Sequence, residues 1–190
     1  MIMRIFIAGG CKTGKSTLAQ KLAVRLCPRG RPLYYIATMA PADDEDKARI
    51  TRHREERAGF GFNTVEMPRD VQSILDKCDR NGFFLFDSVT ALLANEMFGG
   101  DGSVNLEAYK KIILDLDGLL AAVNNIAVVS DYIHSDALMY DDITEAFRSG
   151  LARVHKNLAR TCDAVVESYY GSFIIHKGPA YFKEIIYAVL

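Results

Sequence analysis

The sequence Gly9-Gly10-Cys11-Lys12-Thr13-Gly14-Lys15-Ser16 follows directly after the apolar run Arg4-Ile5-Phe6-Ile7-Ala8. It fits the pattern G-x-x-x-x-G-K-[ST], in which glycines let the backbone turn tightly and point its N–H groups at phosphate oxygens. In such a loop Lys15 reaches the β- and γ-phosphates, and the hydroxyl of Ser16 is available to Mg²⁺. The stretch therefore predicts a strand, a phosphate-binding loop and a helix whose positive end faces a nucleoside triphosphate.

Strand and helix patterns alternate along most of the chain. The predicted strands are 4–8, 33–38, 62–66, 83–87, 126–130, 164–169 and 173–175. The predicted helices begin at Lys15 and then lie within 43–57, 71–78, 89–98, 106–123 and 143–158. This order predicts an α/β fold with a mostly parallel sheet and an antiparallel edge near the C-terminus. Because no Pro/Gly-rich linker divides the chain, we expect residues 1–190 to form a single nucleotide-binding domain.

Composition excludes several classes of protein. Apolar residues make up 49% of the 190 residues, which is typical of a globular chain with a full core. The formal net charge is -1, so no global basic field favours a nucleic-acid partner. No run of about 18 apolar residues predicts a membrane span. The four cysteines form no CxxC pair, so we expect reduced thiols and a cytoplasmic location.

Asp87 ends the apolar strand predicted at 83–87. A carboxylate at this place holds Mg²⁺, directly or through water, in proteins with a phosphate loop. The alternative is an ordinary turn residue, because Asp commonly begins turns. Since the phosphate loop requires a magnesium partner, we predict that Ser16 and Asp87 together bind the metal.

Arg49, His53 and Arg57 are spaced four residues apart on the charged helix predicted at 43–57. Like charges at this spacing repel each other on a helix, so the arrangement suggests that an anion lies along this face. His53 is then a candidate phosphate ligand or nucleophile. A solvated charged helix without a function is the alternative. The other three histidines, at 134, 155 and 176, receive no predicted role.

These elements together resemble the adenosylcobinamide kinase/adenosylcobinamide-phosphate guanylyltransferase family. That family joins a Gly-Gly-x-x-x-Gly-Lys-Ser loop to a Tyr-Ile-Ala-Thr strand, which matches residues 35–38. Its Arg-Ile-x-x-His-Arg-x-x-Arg helix matches residues 49–57, and its Thr-x-Glu strand matches Thr64 and Glu66. Leu85-Phe86-Asp87 through Asn95 is similar to its next strand and helix, so the resemblance covers residues 5–98.

The resemblance implies a P-loop NTPase with a RecA-like sheet, which is commonly a homotrimer. It implies phosphorylation of the aminopropanol hydroxyl of adenosylcobinamide by ATP or GTP with Mg²⁺. GMP is then transferred from GTP through a guanylyl-histidine, in assembly of the cobalamin nucleotide loop. The implied catalytic residues are His53 and Lys15. The predicted nucleotide-binding residues are Gly9, Gly10, Cys11, Lys12, Thr13, Gly14, Lys15, Ser16, Thr17, Arg54, Arg57, Glu66 and Asp87.

The C-terminal half departs from the family pattern. Where the family usually reads Asn-Glu-Val-Gly, this chain has Asp131-Tyr132-Ile133-His134. Of the family's Arg-Asp-x-x-Gly-x-x-Asn-Gln helix, only Arg148 is retained within residues 148–156. These changes favour an alternative, a monofunctional P-loop kinase of another small alcohol. A non-catalytic nucleotide-binding protein is a third hypothesis, against which the retained Lys15 and His53 argue.

Overall fold

The computed structural model describes residues 3–41, 44–134 and 138–190, without the side chains of residues 45–47, 49, 53 and 56. The strands are β1 (Met3–Gly9), β2 (Leu33–Ala37), β3 (Asn63–Glu66), β4 (Phe83–Asp87), β5 (Asn125–Asp131), β6 (Ala164–Tyr169) and β7 (Ser172–Lys177). The helices are α1 (Lys15–Leu26), α2 (Asp44–Arg57), α3 (Val89–Met97), α4 (Ala108–Ala122), α5 (Asp142–Thr161) and α6 (Ala180–Val189). A 3-10 helix spans Val71–Asp76.

In the described part of the chain, the strands form one seven-stranded sheet in the order β3-β2-β4-β5-β1-β6-β7. The first six strands run parallel, and β7 pairs with β6 in the antiparallel direction. The predicted α/β fold with an antiparallel edge near the C-terminus is therefore confirmed. None of the helices described here is both long and apolar enough to cross a membrane.

The sheet is buried on both faces, which explains its continuous apolar strands. Successive side chains of β1 point to opposite faces, so that Phe6 packs on one side and Ile5 and Ile7 pack on the other. Helices α3, α4 and α5 cover the face of Phe6, and α1 and α6 cover the opposite face. Two separate apolar layers thus hold the strand ends in place.

The structure differs from the sequence-based prediction in two places. The segment predicted as a helix at 71–78 is a 3-10 helix that ends at Asp76, because its hydrogen bonds join residues three apart, as from the N–H of Ser73 to the carbonyl of Asp70. Helix α6 was not predicted, although Phe182 and Ile186 are spaced four apart and are buried against the α1 side of the sheet. Its apolar stripe is only a few residues long, which makes the periodicity weak.

Pairing in the sheet brings the ends of four strands together. Gly9 of β1 lies opposite Asp131 of β5 and also opposite Ser168 of β6. Asp87 of β4 lies opposite Val129 of β5, on the other side of that strand. The phosphate loop, Asp131 and Asp87 therefore share the carboxyl edge of the sheet, where α/β proteins bind ligands.

Strand β6 passes very close to the end of β1. A Cβ atom on Gly9 would lie 2.5 Å from the carbonyl oxygen of Ser168 and 2.8 Å from Oγ1 of Thr13. The hydroxyl of Ser168 donates a hydrogen bond to the carbonyl of Thr13 at 2.7 Å. Gly9 is therefore required for this close approach, whereas Gly14, with a φ of 92°, supplies the left-handed turn.

We expect Gly9→Ala to lower the free energy of unfolding by about 1–3 kcal/mol, because the added methyl group overlaps the backbone of β6. Gly10→Ala is the matched control, since its Cβ would lie 3.4 Å from the nearest side-chain atom, Cγ2 of Thr13. Urea unfolding of both variants measures the difference. Equal stability of the two variants would show that β6 moves aside for the added methyl group at little cost in free energy.

Candidate active site

A cavity of about 1000 Å³ opens at the carboxyl edge of the sheet, and we call it the first cavity. Its size lies at the upper end of the range for small-molecule sites. The phosphate loop forms one wall, and helix α2 forms the opposite wall. The predicted site residues that line it are Cys11, Lys12, Thr13, Gly14, Lys15, Ser16, Thr17, Arg54, Arg57, Glu66 and Asp87. Gly9 and Gly10 begin the loop beside it.

The phosphate loop is shaped by two residues in the left-handed region. Lys12 has a φ of 57° and Gly14 a φ of 92°, and helix α1 begins immediately afterwards at Lys15. The hydroxyl of Thr13 donates to the carbonyl of Gly10 at 2.9 Å, which closes the loop on itself. The N-terminal end of α1 thus faces the first cavity with its unpaired N–H groups.

Lys15 is nearly buried, with 7% of its surface exposed, and it has two partners. Its Nζ atom donates to the carbonyl oxygen of Gly10 at 2.6 Å and lies 2.9 Å from Oδ1 of Asp131. Both acceptors are oxygens at the cavity wall, so phosphate oxygens could take their place. Asp131 also lines the first cavity, although no sequence motif predicted a site role for it. Its position at the end of the strand beside β1 is the signal that could have found it.

Asp87 is positioned by its neighbour in the sheet. The hydroxyl of Tyr35 on β2 donates to Oδ2 of Asp87 at 2.9 Å. The guanidinium of Arg57 stacks on the ring of Tyr35, 3.6 Å from the centroid, and Arg57 is only 5% exposed. The predicted phosphate-binding Arg57 therefore also fixes the end of α2 against the strand that supports Asp87.

The oxygens of Ser16 and Asp87 suit Mg²⁺, which prefers hydroxyl, carboxylate, phosphate and water ligands. Both side chains line the first cavity. Among the described residues, no group of three His, Cys, Asp or Glu side chains could hold a metal ion without further ligands. A magnesium ion held here would therefore take most of its ligands from a triphosphate and from water.

Helix α2 carries the residues predicted to act on the nucleotide. Arg54 forms an exposed ion pair with Glu66 of β3, and both side chains line the first cavity. His53 lies in the same helix, but its side chain, like that of Arg49, is outside the described residues. The role of His53 thus stays a prediction from the sequence.

Comparison with known proteins decides among the families that use such a loop. Residues 5–174 match the family described as cobinamide kinase / cobinamide phosphate guanyltransferase. The chain belongs to this family. The resemblance inferred from residues 5–98 is confirmed, and it extends through the divergent C-terminal half.

Two curated relatives of similar length support the same assignment. One is the bifunctional adenosylcobalamin biosynthesis protein CobP of Pseudomonas aeruginosa, 27% identical over 89% of this chain and 94% of its own. The other is the bifunctional adenosylcobalamin biosynthesis protein CobU of Escherichia coli K12, 27% identical over 86% of this chain and 93% of its own.

Solved structures support the fold. The flagellar accessory protein FlaH of Methanocaldococcus jannaschii superposes with a TM-score of 0.50 at 15% identity, over 93% of this chain and 78% of its own. A second solved structure, which is an ATPase domain, superposes with a TM-score of 0.54 at 14% identity, over 97% of this chain and 83% of its own. The predicted P-loop fold with a RecA-like sheet is confirmed.

This member of the cobinamide kinase family also has a second cavity, of about 390 Å³, between α5 and the β6–β7 hairpin. His134 and His155 meet there, with Nε2 of His134 3.1 Å from Nδ1 of His155. Nε2 of His155 lies 2.7 Å from the hydroxyl oxygen of Ser130. At the rim, Nε2 of His176 lies 2.7 Å from Oε2 of Glu167. The three histidines without a predicted role therefore line one cavity, because distant segments bring them together.

Burial controls the protonation of the histidine pair. Burial lowers the pKa of His155 to about 3, and the neighbouring His134 adds to this effect. Burial and the nearby guanidinium of Arg148 also lower the pKa of His134. Because the pKa of His155 is lower in the folded state than in the unfolded state, this group does not change the free energy of unfolding above pH 6.5. Below pH 6.5 the free energy of unfolding falls as the pH drops towards 3.

We expect His155→Asn to flatten the pH dependence of stability between pH 6.5 and 4.5. In the parent protein the unfolded state takes up a proton that folded His155 does not bind, which costs up to about 1.4 kcal/mol per pH unit. Urea unfolding at several pH values measures the slope, and His176→Asn, which replaces an exposed imidazole, is the control. Equal slopes for the parent and His155→Asn would show that the lowered pKa of His155 does not cause this pH dependence.

Proposed function

We propose that this protein phosphorylates adenosylcobinamide and then transfers GMP from GTP to the adenosylcobinamide phosphate. The observation that carries this proposal is the family match over residues 5–174, because the family is described by both reactions. The first cavity supports it independently, since a phosphate loop, a buried lysine and two magnesium-type ligands line one space. The product would serve assembly of the cobalamin nucleotide loop.

In the kinase reaction, Lys15 would exchange the carbonyl of Gly10 and the carboxylate of Asp131 for the β- and γ-phosphates. The N–H groups of residues 12–16 and the start of α1 would bind the remaining phosphate oxygens. Ser16 and Asp87 would hold Mg²⁺, which neutralises phosphate charge when it is bound. The acceptor hydroxyl would attack the γ-phosphorus and give its proton to water, while the bond between the γ-phosphorus and the bridging oxygen breaks and the nucleoside diphosphate leaves.

In the transfer reaction, a neutral imidazole of His53 would attack the α-phosphorus of GTP and release pyrophosphate. The phosphate of the corrinoid product would then displace His53 and take the GMP group. Arg54 and Arg57 line the cavity on the same helix, so their charges would stabilise the developing negative charge. Both reactions would thus use one nucleotide cavity.

The quaternary state and the location form part of the same proposal. We infer a homotrimer and a cytoplasmic enzyme, on the basis of the family resemblance and of four free cysteines. ATP and GTP both remain candidate phosphoryl donors.

We expect Lys15→Ala to weaken nucleotide binding by about 10- to 100-fold, because a charge-assisted contact to the phosphates is lost. The same variant should form no phosphorylated corrinoid when it is incubated with adenosylcobinamide, Mg²⁺ and ATP or GTP. Calorimetry measures binding, and mass spectrometry detects the product.

Lys110→Ala, which removes an exposed lysine from α4, is the control and should behave as the parent protein. If the parent phosphorylates another small alcohol but not adenosylcobinamide, the monofunctional kinase replaces this proposal. That alternative is favoured by the departures at residues 131–134 and 149–156.

We expect GTP labelled on the α-phosphate to leave an acid-labile, base-stable label on the protein, as a phosphoramidate does. His53→Asn should abolish this label and keep kinase turnover, since a different atom of the nucleotide is attacked in each reaction. His176→Asn is the matched control and should label normally. A label that survives in His53→Asn would show that another residue is the nucleophile.

A further inference from the structure

The second cavity is built as a concave site with an apolar floor and a polar wall. Small side chains create the space, since Ala152 and Ala159 lie on the side of α5 that faces β6, and Ala8 lies on β1. Phe6 and Val165 complete the floor. A volume of about 390 Å³ lies within the range of small-molecule sites, and it is too small for a whole macrocycle.

The polar wall carries little net charge. Lys156 and Glu167 are opposite charges at the rim, and the imidazoles of His134 and His155 are mainly neutral near pH 7 because burial lowers their pKa values. A neutral imidazole offers one donor and one acceptor. Both ring nitrogens of His155 and Nε2 of His134 already have partners, so the polar atoms left for a ligand are those of the rim, and the wall offers no strong field for a phosphate.

One atom of this wall lacks a partner. Nδ1 of His134 is buried, and it has no hydrogen-bond partner within the described residues. A buried polar atom without a partner costs free energy. Since this atom has almost no accessible surface, a ligand in the cavity does not contact it in this position of the ring. The ring of Tyr132 packs edge-on against His134 and closes the cavity on the side of β5.

The second cavity adjoins the phosphate loop. The N–H of Tyr132 donates to the carbonyl of Gly9 at 2.8 Å, and Tyr132 directly follows the Asp131 that pairs with Lys15. Because side chains alternate along an extended chain, Asp131 lines the first cavity and Tyr132 lines the second. The two cavities are therefore separated only by the end of β5 at residues 131 and 132.

We propose that the second cavity binds one amide-bearing edge of the corrin ring and so places the acceptor hydroxyl over the phosphate loop. This inference rests on the proposed kinase reaction. The hydroxyl that is phosphorylated lies at the end of an aminopropanol arm, so the macrocycle can stay outside the first cavity. A carboxamide oxygen of the ring edge would accept a hydrogen bond from the exposed Lys156 at the rim, and apolar atoms would cover Phe6 and Val165.

The test fills the cavity in the full-length protein. Ala152→Leu and Ala159→Leu each add three carbon atoms to the wall, and Ala121→Leu makes the same change at an exposed position of α4. Equilibrium dialysis with adenosylcobinamide measures corrinoid binding directly, and calorimetry measures nucleotide binding. Thermal melting shows that each variant is folded.

We expect both cavity variants to weaken corrinoid binding, and to raise its KM, by roughly tenfold or more. Nucleotide affinity should change by no more than about twofold, and Ala121→Leu should match the parent in every measurement. Weaker corrinoid binding in the cavity variants alone would support the site even if no phosphorylated product formed. In that case only the proposed kinase reaction would fail.

Unchanged corrinoid binding in two folded cavity variants would overturn the inference, and so would a parent protein that binds no corrinoid. Light scattering adds a second readout. A changed oligomeric state with normal corrinoid binding would assign the cavity to contacts between copies of the chain, which also overturns the inference.

Discussion

Strand β1 is held between β5 and β6, and this pairing determines the geometry around the phosphate loop. It brings Gly9 opposite both Asp131 and Ser168, so the phosphate loop emerges between two strand ends whose positions are already set. Only a glycine fits there, since the carbonyl of Ser168 occupies the place of a side chain. The loop is therefore positioned by strands far from it in sequence, although its own residues are consecutive.

This difference between local and distant constraints explains what the sequence could predict. The phosphate loop, the helix after it and Asp87 depend on neighbouring residues, so pattern and spacing were sufficient to find them. Asp131 pairs with Lys15, and His134 meets His155, only because β5 and α5 pack beside β1. No single-sequence pattern joins positions so far apart, and a lone histidine carries no signal of a partner.

Most of the departures from the family pattern in the C-terminal half lie at the second cavity. Tyr132, His134, Ala152, His155 and Lys156 all line the second cavity, whereas only Asp131 among the changed positions lines the first. The residues that would hold the triphosphate keep the family pattern, and the residues beside them do not. Divergence of this kind is typical of a retained reaction with altered contacts to the acceptor, since phosphoryl transfer depends on positioning and charge at the phosphates.

The two cavities are joined by a continuous set of hydrogen bonds. The N–H of Asp131 donates to the hydroxyl of Thr90 at 2.9 Å, and that hydroxyl lies 3.1 Å from the hydroxyl of Ser130. Ser130 contacts His155, which contacts His134 at the second cavity. Because Asp131 also pairs with Lys15, this set of contacts ends at the residue that competes with phosphate for the lysine. One short segment at the end of β5 thus contributes Asp131 to the nucleotide cavity and Tyr132 to the second cavity, and the same sheet pairing positions both.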